Sequence, residues 1–143
     1  DVLVTYAGAQ DAGDLLEGLF MGRYEIGTDA APAIFETAGA GDTVANQLLA
    51  WAGRELGSLA VGVARQLHFE QEAFEVVQIG SLWGASELLS REMLSTLRDV
   101  APGARVTRLT APPVVGAVLL AMEAANRSSQ QIAHLKSRLL SEE

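Results

Sequence analysis

Residues 75–93 read EVVQIGSLWGASELLSREM and join two kinds of secondary structure within a few positions. An apolar run stops at Gly80-Ser81, and the apolar residues that follow recur at helical intervals. A strand that ends in small residues just before a helix lets a ligand approach the backbone closely. The arrangement recurs downstream, where residues 106–109 lead through residues 111–113 into an apolar helix. Two successive strand-to-helix junctions predict half of a nucleotide-binding α/β lobe.

The order of elements around that stretch indicates the fold class. A buried strand is predicted at residues 74–79 and a second strand at 106–109. Residues 112–125 are apolar on nearly every side, which predicts a buried helix. The order helix, strand, helix, strand, helix predicts parallel strands joined by crossover connections. A further strand is predicted over residues 1–8, which alternate in pattern and end at a glycine.

The longest periodic element covers residues 43–68 and predicts a long amphipathic helix. Asp42 is well placed to cap its N-terminus, because a carboxylate there accepts from free backbone N–H groups. Gly53, Gly57 and Gly62 lie inside this helix, and each costs about 1 kcal/mol of helix propensity relative to alanine. Three such glycines predict a helix that packs closely against another element.

Shorter helices are predicted on both sides of the long one. They run from Asp11 to Gly22, from Pro32 to the break at residues 39–42, and over residues 86–100. We divide the chain into a subdomain of residues 1–127 and an amphipathic C-terminal helix of residues 128–143. That last helix could pack on the subdomain or on a partner.

Composition excludes several function classes. A net charge of -8 and a pI near 4.7 leave no basic face for nucleic acid or an anionic membrane. The absence of cysteine excludes disulfides and cysteine-ligated zinc or iron-sulfur clusters within this chain. The longest apolar run, residues 114–122, is less than half of the roughly 20 residues that a membrane helix needs. We predict a cytoplasmic protein that binds neither nucleic acid nor membrane, while local backbone donors and a metal ion could still hold a nucleotide.

Two glycine-containing segments could carry chemistry. At residues 80–84, GSLWG, a nucleoside could approach Gly80, Ser81 offers a hydroxyl, and the following helix offers free N–H donors. The alternative is an ordinary strand-to-helix turn, and the sequence alone does not decide between them. Residues 39–43, GAGDT, resemble a phosphate cradle, yet a capping role is favoured because no lysine accompanies them. No Ser/His/Asp, HExxH or paired-acid signature is present. A plausible nucleotide wall without an evident catalytic group predicts an incomplete enzyme.

Three segments resemble a known family of ATPases. Residues 77–83, VQIGSLW, followed by SELL at 86–89, look like the adenosine motif of N-acetylglucosamine kinases in the actin-like ATPase superfamily. Residues 38–49, AGAGDTVANQLL, are similar to a helix start of the BadF/BadG/BcrA/BcrD ATPase family, to which those kinases belong. Residues 109–121, LTAPPVVGAVLLA, resemble that family's closing helix. The match covers most of this chain but only the last part of a family member.

The resemblance implies a partial ribonuclease-H-like lobe that contributes to ATP binding. Family members close two such lobes on ATP, with Mg²⁺, and on a substrate, which would be an amino sugar in the kinase branch. The DGGxT phosphate loop, the catalytic aspartate and the second phosphate loop would all lie before residue 1, so we expect the chain alone to be inactive and to supply no catalytic residue. The resemblance assigns Gly80, Ser81, Leu82, Gly84 and Ser86 to the adenosine wall, and it places Gly116 at another close-packed position near the nucleotide cleft.

An alternative is a non-catalytic binding or oligomerisation module that keeps the lobe's fold without nucleotide. It is favoured by the amphipathic tail and by the short sheet, since exposed strand edges tend to pair with another chain. This alternative predicts a homo-oligomer formed through the sheet edge or the C-terminal helix. Nucleotide titration distinguishes the two hypotheses.

Overall fold

A computed structural model describes residues 1–109 and 111–139. Within those residues the chain is helix-rich and contains one short parallel sheet, which confirms the predicted α/β class. A single 3₁₀ turn, Thr28–Ala30, precedes α3. The elements are α1 (Val2–Ala7), α2 (Ala12–Phe20), α3 (Ala31–Gly39), α4 (Thr43–Gln66), β1 (Glu75–Gln78), α5 (Leu82–Ala85), α6 (Glu87–Arg98), β2 (Arg105–Arg108), α7 (Pro113–Ala124) and α8 (Ser129–Leu139).

The two strands pair in parallel, as the alternating element order predicts. Glu75 lies opposite Arg105 and Gln78 lies opposite Arg108, with α5 and α6 forming the crossover between the strands. Val76 packs against the core that α4 and α6 build on one face of the sheet. Side chains alternate along a strand, so the next residue, Val77, faces the opposite side, where α7 begins.

The contact between α4 and α6 organises the fold, and two of the three glycines make it possible. A β-carbon at Gly53 would lie 2.7 Å from the Leu89 carbonyl oxygen, and one at Gly57 would lie 2.7 Å from that of Met93. The predicted close packing is therefore confirmed at these two positions. It is wrong at Gly62, which is exposed and has no neighbouring atom within 4 Å of such a β-carbon.

The start of α4 is capped as predicted. The Asp42 carboxylate accepts from the backbone N–H of Ala45 at 2.8 Å, which satisfies one donor of the first turn. The Asn46 amide donates to the Ala38 carbonyl oxygen at 2.9 Å and so ties the end of α3 to the start of α4. The glycine-rich segment before α4 thus serves as a capped turn between two helices.

The strand predicted over residues 1–8 is wrong, because this segment forms α1. Its backbone groups bond locally: the Thr5 N–H donates to the Asp1 carbonyl oxygen at 3.1 Å, and Gly8 ends the helix with a φ of 68°. A strand needs a neighbour to satisfy its backbone, whereas a helix satisfies its own. Alternation over a few residues does not distinguish the two when many side chains are only half-buried.

Burial on the α7 side of the sheet was also predicted wrongly. Of the residues of α7 only Val115 is buried, and Val114 and Leu120 are 64% and 67% exposed. The predicted buried strand likewise leaves Val77 half exposed. Both errors have one physical cause, since a two-stranded sheet offers a helix too narrow a surface to cover its apolar sides.

The remaining elements follow the predicted periodicity. The helices expected after Asp11, from Pro32 and over residues 86–100 correspond to α2, α3 and α6, and a helix occupies most of the predicted tail. Thr110 and residues 140–143 of the segments discussed above lie outside the described residues. No helix among the described residues is both long and apolar enough to cross a membrane.

Candidate functional site

The carboxyl end of β1 forms the junction that the sequence singles out. Gly80 has a φ of 108°, a conformation that favours glycine because it has no β-carbon, and the space where a β-carbon would stand is open. Ser81 follows and precedes α5, whose Gly84 N–H donates to the Ser81 carbonyl oxygen at 2.9 Å. The Leu109 N–H donates to the Gln78 carbonyl oxygen at 2.9 Å, so β2 accompanies β1 to this edge.

Gln78 fixes the junction against the core. Its side chain is buried and pairs with Ser90 of α6, with its amide nitrogen 3.2 Å and its amide oxygen 3.3 Å from the Ser90 hydroxyl. The same nitrogen approaches the Met93 sulfur at 3.6 Å. A buried amide satisfied in this way holds its strand and the facing helix at a fixed distance. The loop between them, which contains Gly80 and Ser81, is therefore anchored at both ends.

A slot of about 380 Å³ lies between this junction and α3. Its walls are largely apolar, and the Ser81 hydroxyl adds a polar group that does not cap α5. An apolar slot with few polar groups suits a flat ring that carries hydrogen-bonding edges. The residues that face each other across it are Ala31, Pro32 and Phe35 on the helix side and Ser81, Leu82 and Ala85 on the junction side.

The helix side of the slot is held by contacts from the N-terminal region. Thr28 reaches the slot from the 3₁₀ turn, and Asp29 beside it accepts a hydrogen bond from Tyr6. This hydrogen bond raises the pKa of the Tyr6 hydroxyl above its usual value. Phe35 also packs against the cluster at the start of α4. Residues far apart in sequence thus position the wall that faces Ser81.

Arg108 lies beside α5. Its guanidinium occupies the space that a β-carbon at Gly84 would need, so Gly84 allows the end of β2 to approach α5. Ser86 starts α6 without a side-chain capping bond. Arg108 thus brings a cationic side chain to the junction. The sequence gives no signal for this role, because RVTR is an ordinary strand sequence.

The predicted site residues are only partly brought together. Ser81 and Leu82 line the slot, Gly80 precedes them, and Gly84 and Ser86 lie along the following turn and helix start. Gly116 is elsewhere: it lines a separate cleft of about 450 Å³ between α7 and the exposed face of the sheet. Arg108 borders that cleft while its guanidinium reaches Gly84.

No pattern in the sequence indicates that α3 forms one wall of the slot. The sequence predicts only that a helix begins at Pro32, whereas in the structure Pro32 and Phe35 line the slot together with Ala31. A period of 3.6 places them on one side of α3 but does not say which element that side meets. No group of three or more histidine, aspartate or glutamate side chains that could hold a metal ion occurs among the described residues.

Among known proteins, no family model, curated protein or solved structure matches this chain. The family resemblance carried by the three segments therefore stays a prediction, and the function has to be argued from the geometry of the junction.

Proposed function

We propose that this chain forms the adenosine-binding wall of an ATP-dependent sugar kinase or ATPase, as part of a ribonuclease-H-like lobe of the actin-like ATPase type. The observation that carries the proposal is the junction at Gly80, where a parallel strand ends beside an apolar slot. Ligands of open α/β sheets bind at the carboxyl ends of the strands, which is where this slot lies.

The slot suits the nucleoside part of ATP. Adenine has two apolar faces, which Pro32 and Leu82 can cover from opposite sides, and polar edges, which the Ser81 hydroxyl can reach. The open space above Gly80 admits a ribose close to the backbone. Arg108 places a positive charge next to α5, which favours an anionic ligand.

The phosphates and Mg²⁺ would be held by other parts of the parent protein. Phosphoryl transfer depends on positioned cations and backbone donors around the phosphates. Among the described residues no group of three or more acidic or histidine side chains could hold Mg²⁺, and in the turn before α4 the Ala45 N–H already donates to the Asp42 carboxylate. We therefore expect binding of adenosine or ATP without turnover, and an amino sugar remains the acceptor that the resemblance suggests for the parent.

Titration of the isotope-labelled chain with adenosine tests this proposal. The amide resonances of Gly80, Ser81 and Leu82 are expected to shift at millimolar adenosine. Ala85→Leu fills the slot and is expected to abolish the shifts, whereas Ala117→Leu on exposed α7 is the matched control and leaves them unchanged. Absent shifts, or equal shifts in the Ala85→Leu chain, would refute the assignment, and sustained ATP hydrolysis abolished by a point substitution in this chain would refute the inactive role.

The second candidate function is that of a binding or oligomerisation module. It is favoured by the exposure of Val77 and Ile79, which are 49% and 57% exposed at the end of β1. Within the described residues each strand has one neighbour only, so each has one unpaired edge. A four-stranded sheet formed by two copies would satisfy one of these edges in each. Light scattering that finds a strict monomer across micromolar concentrations would refute this candidate.

A further inference from the structure

A second depression opens beside the slot, between α3 and α4, and has a volume of about 380 Å³. Ala31, Phe35 and Leu82 line both spaces, so the depression continues the slot along α4. Trp51 and Glu55 line the depression and do not line the slot. We call this depression the α3–α4 groove.

The walls of the α3–α4 groove are almost entirely apolar. Ile34 of α3 faces the groove together with Leu48 and Leu56 of α4, and Leu48 remains 40% exposed. A concave apolar surface of several hundred cubic ångströms that carries few polar groups is typical of a small-molecule site. The groove therefore suits the apolar part of a small ligand.

The charge at the α3–α4 groove is negative. Of the described residues that line it, only Glu55 is charged. The neighbouring Arg54 pairs with Glu92 of α6 at 3.4 Å, and within the part of the chain that the structure describes Glu55 takes part in no ion pair. A carboxylate that no cation neutralises attracts a positively charged ligand, and the net charge of -8 adds to this attraction.

Trp51 favours the same charge. It precedes Glu55 by four residues, so the two side chains are neighbours on one side of α4. The Trp51 side chain is 54% exposed, which leaves its ring accessible to a ligand. The face of an indole ring attracts a cation through its quadrupole. Two adjacent groups of the groove, one anionic and one aromatic, thus select a positive charge.

We propose that the α3–α4 groove binds an apolar amine, which is a small molecule with an aromatic or aliphatic body and a protonated amino group. The body packs between Ile34 and Leu48, and the ammonium group pairs with Glu55 beside the Trp51 ring. The proposal does not depend on nucleotide binding, because the Ser81 junction supplies neither the charge nor the aromatic ring on which it rests.

Titration of the isotope-labelled chain with phenethylamine tests the proposal at neutral pH, where this amine is protonated. Phenethyl alcohol is the matched neutral probe, because it carries a hydroxyl in place of the ammonium group. The indole N–H resonance of Trp51 is expected to shift with both probes, and the amine is expected to bind at least about fivefold more tightly. Salt screens the attraction between charges, so added sodium chloride is expected to weaken binding of the amine and not of the alcohol.

Matched variants separate the charge of the groove from the charge of the whole chain. Glu55→Gln keeps the size of the side chain and removes its charge, so the affinity for the amine is expected to fall to that for the alcohol. Glu123→Gln on α7 makes the same change in net charge away from the groove and is expected to leave both affinities unchanged. Ala52→Leu fills part of the groove and is expected to weaken binding of both probes. Circular dichroism confirms that the variants fold.

Each of the opposite outcomes would overturn the proposal. Equal affinity of the parent chain for amine and alcohol would show that the groove does not select a cation. Equal losses in the Glu55→Gln and Glu123→Gln chains would show that the overall charge attracts the amine. A Trp51 resonance that moves with protein concentration before any probe is added would show that a second copy of the chain covers the groove instead.

Discussion

Gly57→Ala is the substitution that most directly tests the account of the fold. Alanine is the better helix former, by about 1 kcal/mol, so local propensity alone predicts stabilisation. The structure predicts the opposite, because the added methyl would lie 2.7 Å from both the Met93 carbonyl oxygen and the Thr96 β-carbon. One of these atoms is backbone and the other is fixed to it, so relief requires α4 and α6 to separate.

The expected magnitude follows from these opposing effects. Overpacking a tight contact costs about 1–3 kcal/mol, and a clash with backbone falls toward the upper end of that range. After the gain in helix propensity of about 1 kcal/mol, the free energy of unfolding is expected to fall by about 1–2 kcal/mol. Gly62→Ala makes the same chemical change on the same helix with nothing within 4 Å, and it is expected to raise the free energy by about 0.5–1 kcal/mol.

Urea unfolding followed by circular dichroism measures both variants. The protein concentration is kept where light scattering finds the monomer, so that dimerisation does not enter the comparison. An equal dependence of the free energy of unfolding on urea concentration in the two variants shows that both undergo the same unfolding transition. The reasoning is refuted if Gly57→Ala is as stable as Gly62→Ala, because the close contact between α4 and α6 would then not exist.

Three further predictions concern polar groups. Asp42→Ala removes the cap of α4 and is expected to lower the free energy of unfolding by about 1 kcal/mol, with Asp42→Asn nearly neutral in the same urea assay. A backbone N–H and the hydroxyl of Tyr24 donate to Asp14 and lower the pKa of its carboxyl. The contribution of Asp14 to stability is therefore present above the unfolded pKa of about 3.9 and is lost as the pH falls through the lower folded value. Asp14→Asn is expected to reduce this loss of stability at acid pH in unfolding curves measured between pH 2 and 6. Ser90→Ala leaves the buried Gln78 amide without its hydroxyl partner and is expected to cost about 1–3 kcal/mol, whereas a chain that also carries Gln78→Met regains most of it, and a double-mutant cycle without coupling would contradict this.

Much of the fold could be predicted from the sequence because its helices have strong periodic signals. The 24-residue α4, its Asp42 cap and the apolar face of α6 follow from spacing alone. Which helix faces are buried could not be predicted, because burial depends on which other element lies opposite each face. Close packing was predicted correctly at Gly53 and Gly57 but wrongly at Gly62. Burial was also predicted wrongly for most of α7.

At the candidate site, too, the sequence predicts where residues lie along the chain but not which of them lie close together in space. The sequence located Gly80 and Ser81 at the end of a parallel strand, since a change of period and a pair of small residues are local signals. It grouped Gly116 with them through resemblance, whereas the structure places Gly116 in another cleft, on the face of the sheet opposite α4 and α6. Arg108 connects the two places, since it lines the cleft that contains Gly116 while its guanidinium lies against Gly84. Nucleotide binding at Ser81 therefore predicts that substitutions at Arg108 change affinity for ATP more than affinity for adenosine, while substitutions at Gly116 change neither.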